Sequence, residues 1–423
     1  MTLPRTPSRP SPTLPSHSVD GARLWFRLQD LARHGATRSG GVNRPAFSAA
    51  DQAARRTVTG WAQEAGLAVS GDAAGNLFLK LEGLEPDAKP VLAGSYLDTQ
   101  PAGGKYAGSF GVVAALEALQ AVQAMGRPAS RPLIAAIWAN GEGSRFSPGY
   151  TGSEAFAGLL SLATMHAVTD GAGIACRDAL ASTLAAETDI ARIGLGFACA
   201  AYVEAHLEQG PVLEQQGCTI GAVTAMQGVR NCQVRVFGEA SHAGTTPRHR
   251  RRDALKAAMR IIAALDSFYA SPDIGFAVGQ LSVEPNAPSV IARQVTFVVD
   301  IRHPDTTTLQ RLGDTVRLIC ESEKGPCRFE IHALADKPAI TFPADIARRI
   351  ERAAAALSLP HMPILSLAGH DARSLVKTCP TGIIFIPCRD GLSHNEAEAI
   401  EPGHAHAGAQ VLADVLWDLA NSV

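Results

Sequence analysis

The sequence predicts an α/β fold: a mostly parallel sheet flanked by helices, interrupted by a smaller inserted α+β domain. Three observations predict it. The strand-like segments of the first half are continuous apolar runs, as in strands buried on both faces. They alternate with helical patterns. After Gly221 the texture changes to apolar/polar alternation around amphipathic helices, and from Ile346 the first texture returns. The expected organisation is a tail of residues 1–19, a discontinuous main domain of 20–221 and 334–423, and an insert of 222–333.

In chain order, the first eighteen residues are rich in Pro, Ser and Thr and read as a disordered tail without the apolar stretch of an export signal. Leu24, Trp25, Leu28, Leu31 and Ala32 recur at helical spacing. The glycines, Asn and Pro of 38–48 mark a loop, and 49–65 is a second amphipathic helix. A turn at Asp72-Ala-Ala-Gly-Asn76 precedes a short strand at 77–81. Apolar strands follow at 90–95 and 132–139, separated by an Ala/Leu/Val-rich helix over 108–125. In the insert, strands at 231–237, 295–301 and 327–333 accompany helices at 253–268 and 309–323.

Composition narrows the function classes. Of 423 residues, 46% are hydrophobic, enough for a sizeable core, and 38 Lys+Arg against 40 Asp+Glu give a net charge of -2. That balance argues against a general nucleic-acid binder. No apolar run reaches the ~20 residues of a membrane span. The eight cysteines are scattered, form no CxxC pair, and read as thiols of a cytoplasmic protein.

Polar clusters fall where ligands bind on such sheets, beyond the carboxyl ends of the strands. They are Gly94-Ser-Tyr-Leu-Asp-Thr-Gln100, Asn140-Gly-Glu-Gly-Ser-Arg-Phe146, His206-Leu-Glu-Gln-Gly210, His242-Ala-Gly-Thr-Thr-Pro247 and Gly391-Leu-Ser-His-Asn-Glu396. With Gly40-Gly-Val-Asn-Arg44, Asp300-Ile-Arg302 and Gly369-His-Asp371, their order and spacing resemble the M20 peptidase superfamily. The branch resembled is that of hydantoinases and carbamoylases, which includes allantoate amidohydrolase, N-carbamoyl-L-amino-acid hydrolase and β-ureidopropionase. The resemblance spans about Arg23 to Leu419. It implies a catalytic α/β domain, a lid and dimerisation insert, a homodimer, and hydrolysis of C–N bonds in linear amides.

The resemblance also implies two divalent metals about 3.5–4 Å apart. Mapped residue by residue, the first metal-binding His is Tyr96 here, the bridging Asp is Ala107, and the general-base Glu is Gly141. Glu142, His206 and His394 match the remaining metal ligands. Ala107 has no donor atom and Gly141 moves no proton. Tyr96 binds zinc only when ionised, against an ordinary pKa near 10. The usual two-metal hydrolysis is therefore expected to be absent and no cofactor is expected, with zinc or manganese reserved for a regrouped single site.

Gln209, His242 and Arg302 match positions that hold the substrate and its carboxylate, Ser289 replaces the family's Asn, and His370 is assigned to ligand binding. A guanidinium suits a carboxylate because it pairs with both oxygens, although Arg302 can equally pair with a neighbouring acid on its sheet. The expected partner is a small carboxylate of amino-acid or ureido-acid type, with no nucleic acid and no membrane. Three readings stand. One is a divergent hydrolase of linear amides with a rearranged single metal. Another is a metal-free enzyme using Tyr96, Glu142, His206, His370, Asp371 and His394. The third is a non-catalytic binding paralogue.

Overall fold

The computed structural model describes residues 14–422. The chain divides into two compact units, one running to Thr224 and resuming at Phe342, the other Ala225–Thr341. The expected insert boundary at 333 falls inside a strand, so the second unit continues eight residues further. Residues 1–13 of the expected tail lie outside the described residues. Its end is ordered: Pro15–Ser18 form a 3-10 turn with Pro15 and Ser16 buried, and the Ser16 N–H donates to Asp414 at 2.9 Å.

The first unit begins with α1 (Gly21–Leu31) and α2 (Ala49–Glu64), capped by the side chains of Asp20 and Ser48. Strands β1 (Ala68–Gly71), β2 (Leu77–Leu81) and β3 (Val91–Tyr96) lead to α3 (Ser109–Ala124), then β4 (Leu133–Trp138). Short helices α4 (Thr151–Phe156), α5 (Leu162–His166) and α6 (Cys176–Ala186) precede β5 (Ala191–Arg192), β6 (Ala201–Leu207), α7 (Val212–Gln216) and β7 (Ile220–Met226).

The second unit holds β8 (Gly228–Phe237), β9 (Ser241–His242), α8 (Ala254–Phe268), β10 (Gly275–Glu284), β11 (Val290–Ile291), β12 (Gln294–His303), α9 (Thr306–Glu323), β13 (Arg328–Lys337) and β14 (Ile340–Thr341). The first unit is completed by α10 (Ala344–Ala356), β15 (His361–Ser366), α11 (Ala372–Leu375), β16 (Thr381–Ile386) and α12 (Pro402–Asn421).

The first unit's sheet runs β7-β16-β6-β3-β4-β2-β1-β5, with β15 beside β7. Its centre, β16-β6-β3-β4, is parallel, whereas β7 and β2 join antiparallel. Every residue of β3, β4, β6 and β16 is buried, which is why β4 reads as an unbroken apolar run, and β6 buries Glu204 and His206 among its apolar residues. Helix α3 is apolar on all sides because it packs on the sheet and beneath α1 and α12. Arg44, fully buried, donates to the carbonyls of Leu31, His34 and Leu97 and to Ser109. It thereby ties the end of α1 to the loop that follows Tyr96.

The second unit is an antiparallel sheet, β10-β12-β8-β13, with α8 and α9 over one face. Val295, Phe297, Val299 and Ile301 alternate inward from β12 and pack with Ile261, Leu265 and Val316. Strand β10 lacks a sequence signal: two glycines and a register shift between Val278 and Gln280 break its alternation. No described helix is long and apolar enough to cross a membrane, and none of the eight cysteines is in a disulfide.

Candidate functional site

Three parallel strands deliver the central residues from their carboxyl ends. Tyr96 ends β3, Gly141 and Glu142 follow β4, and His206 lies near the end of β6. The Tyr96 hydroxyl is 3.2 Å from His206 Nε2, and the N–H of Gly108 donates to the same nitrogen at 3.1 Å. A backbone N–H can only donate, so Nε2 carries no proton, and Nδ1–H donates to the Leu207 carbonyl at 3.0 Å. Burial draws His206 down to about 4, so the ring is neutral at neutral pH. Burial, with the nearby Glu142 carboxylate, holds the Tyr96 hydroxyl well above its ordinary value and keeps it a phenol.

The Tyr96 ring occupies a specific space. A Cβ on Gly141 would stand 2.3 Å from its Cγ, and one on Gly108 would stand 2.4 Å from its Cδ2. Gly108 is also in the left-handed region, at φ 70°, where α3 begins. The ring and these two glycines interlock: no side chain fits at 141 while Tyr96 keeps this position.

Glu142 Oε2 accepts from the Gln100 amide at 2.7 Å and lies 3.8 Å from His394 Nε2. Buried Asp98 accepts from the backbone N–H groups of Gly141 and Glu142 at 2.8 and 3.1 Å, fixing that loop. Burial, then Asp51 and Glu142, raise the Asp98 carboxyl well above the usual range. On the other flank, Gln209 donates to Ser393 Oγ at 2.8 Å, and Ser393 donates to Glu398 at 2.9 Å. Glu398 also accepts the N–H groups of Tyr106 and Ala107 at 3.2 and 3.0 Å. The loop bearing Ala107 is thus held through its backbone, and its methyl group offers no ligand.

His370 and Asp371 lie in the interior, next to the strand ends. His370 is fully buried, its ring 4.5 Å from that of His206 and 5.3 Å from that of Phe385. The ring packs against His206, and neither of its nitrogens has a hydrogen-bond partner among the described residues. Asp371 is equally buried, and burial with neighbouring Glu204 pushes its carboxyl well up. Glu204 accepts from Ser95 and the Ala372 N–H and is itself pushed up to about 7 by burial.

The second unit holds the other sequence-assigned residues. His242 and Ser289 meet on the small β9/β11 pair, where Val290 is the register partner of His242 and the Ala243 N–H donates to the Ser289 carbonyl at 2.9 Å. Both side chains are exposed. Arg302 stands on β12, its guanidinium donating to both carboxylate oxygens of Asp300 at 2.9 and 3.1 Å. This is the neighbouring acid that the sequence left as an alternative to a ligand carboxylate.

The residues do not fit a two-metal centre. Ala107 and Gly141 contribute no donor, and the Nε2 lone pair of His206 is directed at Gly108 and Tyr96. Among the described residues, no three His, Cys, Asp or Glu side chains are grouped to hold a metal ion. Of the sequence-assigned ligands, Glu142 and His394 stand together, whereas His206 is turned to other bonds. Sequence reasoning did not assign Asp98 or Glu398. Asp98 sits inside a quoted polar cluster, but Glu398 had no signal, because the loop it holds, at Tyr106 and Ala107, lies almost three hundred residues away.

Comparison with known proteins places this geometry. The sequence profile of peptidase family M20/M25/M40 matches residues 96–418. An N-carbamoyl-L-amino-acid amidohydrolase of Rhizobium meliloti is 37% identical over 418 residues, covering 96% of this chain and 98% of that protein. An allantoate amidohydrolase of Bacillus subtilis is 32% identical, covering 93% and 96%. The crystal structure of a hydantoinase/carbamoylase-family amidase from Burkholderia vietnamiensis superposes with a TM-score of 0.87 at 38% identity, covering 96% of this chain and 98% of that one. The chain belongs to the M20 peptidase family, within its hydantoinase/carbamoylase branch of amidohydrolases.

Proposed function

We propose that this amidase-like protein takes a small carboxylate of amino-acid or ureido-acid type and lacks the two-metal hydrolysis implied by its family. One observation carries the reading: the phenol of Tyr96 fills the space beside Gly141 and Gly108 and shares the Nε2 of His206. In the family pattern, a base, a bridging carboxylate and a metal-binding imidazole would be needed in this part of the site. Here a neutral phenol–imidazole pair occupies it, and that pair holds a proton without a metal. Glu142, Gln100 and His394 remain to receive a polar ligand, beside Gln209. The relatives' names support the ligand class, since N-carbamoyl-L-amino acids and allantoate are carboxylates bearing carbamoyl groups. By the family resemblance, Arg302 of the second unit is assigned to a carboxylate, in exchange for its pairing with Asp300.

The test combines metal content with turnover. Protein purified with added zinc or manganese and then dialysed is assayed by elemental mass spectrometry. N-carbamoyl-L-amino acids and allantoate are then offered with each metal and with cobalt. The expected result is well under one metal per chain and hydrolysis at the background rate. One or two tightly held metals with a metal-dependent rate would overturn the proposal and restore hydrolysis through Glu142, His206 and His394.

A further inference from the structure

We propose that the second unit carries a binding site for a small, multiply charged phosphate-type anion at the N-terminal end of α8. A pocket of about 460 Å³ is lined there by Arg248, His249, Arg251, Asp253, Lys256 and Arg260. Four permanent cations thus face one carboxylate, and that carboxylate is committed: Asp253 caps α8 by accepting the N–H of Lys256 at 3.1 Å. The whole chain carries a net charge of -2, so this is a local concentration of positive charge.

The inner cations are held in place without being fully neutralised. Arg251 donates to the carbonyls of Thr246 and Ala243 at 2.9 and 2.5 Å. Arg260 donates twice to the Glu323 carbonyl, at 3.1 and 2.7 Å, and meets the Glu323 carboxylate only at 3.8 Å. Carbonyls fix a guanidinium but cancel none of its charge. Arg248 and Lys256 are exposed and have no ion pair among the described residues.

Like charges gathered around a concave surface repel, and an anion seated among them relieves that repulsion. The first turn of a fifteen-residue helix adds its positive end. Guanidinium forks pair with phosphate oxygens two at a time, as they do with a carboxylate, and four cations around one pocket favour an anion of more than one charge, which a phosphate supplies and a single carboxylate does not. The volume is toward the lower end of the roughly 300–1,000 Å³ of small-molecule pockets, which fits inorganic pyrophosphate or the phosphate ester of a small metabolite.

The experiment is calorimetric titration of the full chain with inorganic pyrophosphate, at low salt and at physiological salt. It is repeated on an Arg248→Ser/Lys256→Ser variant, whose altered side chains are exposed and whose melting temperature checks the fold. The expected result is one site per chain that persists at physiological salt and is weakened roughly ten-fold or more in the variant, the scale of lost charged hydrogen bonds. The proposal is overturned by no binding at millimolar pyrophosphate, by equal affinity in the variant, or by tighter binding of a single-stranded oligonucleotide than of pyrophosphate. The last outcome would mark the patch as a polymer-binding surface.

Discussion

Two regions of this molecule hold their sequence-assigned residues under different physical constraints. In the first unit, Tyr96, Gly108, Gly141 and His206 are interlocked: a ring fills what two absent side chains leave, and its hydroxyl meets a fully buried imidazole. In the second unit, His242 and Ser289 are exposed, and Arg302 is half-exposed against Asp300. A substitution in the first region must be matched by its neighbours, because a close-packed interior has neither spare room nor water to satisfy a stray polar atom. A substitution in the second is accommodated by solvent. The residues of the first region are therefore coupled by packing, whereas those of the second are free to vary one at a time.

The largest expected effect tests the interlock directly. Tyr96→Ala should cost about 3–5 kcal/mol of stability, the range for removing a buried aromatic ring. Gly141→Ala alone should cost about 1–3 kcal/mol by overpacking. In a Tyr96→Gly background, which also removes the Tyr96 Cβ that would stand 2.6 Å from the new one, it should cost much less, and urea unfolding of the Tyr96→Gly, Gly141→Ala and double variants measures that coupling. Equal cost of Gly141→Ala in both backgrounds would break the comparison, since the two positions would then be independent.

A second effect concerns His206. Its folded-state value is about 4, against an ordinary 6.5. As pH falls through that window the unfolded chain takes up a proton that the folded chain refuses, so stability falls toward acid and rises toward neutrality. Neighbouring carboxyls such as Glu204 act in the opposite sense, so the informative quantity is wild type minus His206→Gln. That difference should move in favour of the wild type by about 3 kcal/mol between pH 4 and 6.5. Parallel pH profiles would show that His206 protonates in the folded protein and that its surroundings are wet.

The smallest stability effect belongs to Arg302. Arg302→Ala should change stability by less than about 1 kcal/mol, as for an exposed ion pair. It should also weaken binding of an N-carbamoyl-L-amino acid roughly ten-fold or more, as read by calorimetry. Unchanged affinity would assign the guanidinium to the sheet alone, through Asp300. A stability loss of several kcal/mol would show that the second region is as tightly constrained as the first.

Much of this was legible in the chain itself. Continuous apolar runs marked β3 and β4, and alternation marked β8 and β12, because burial on two faces or one dictates which residues a strand can carry. The inserted unit was visible as a change of period, although its end at Thr341 was not. Strand β10 was missed because a bulge and two glycines erase its alternation. The ordered end of the tail, at Pro15–Ser18, depends on contacts with Asp414 and Gln410 at the far end of the chain.

By itself the sequence determined the fold class, the family and the inventory of donor atoms: an alanine at 107 and a glycine at 141 supply none, whatever surrounds them. Only the tertiary structure decided where the remaining lone pairs point. It turned His206 Nε2 toward Gly108 and Tyr96, sank His370 behind it, gave Arg302 to Asp300, and bound the Ala107 loop to Glu398. The reason is physical. Donor chemistry is a property of each residue, whereas direction and burial are set by segments that meet from positions 96, 108, 141, 206 and 398, and no local pattern records that meeting.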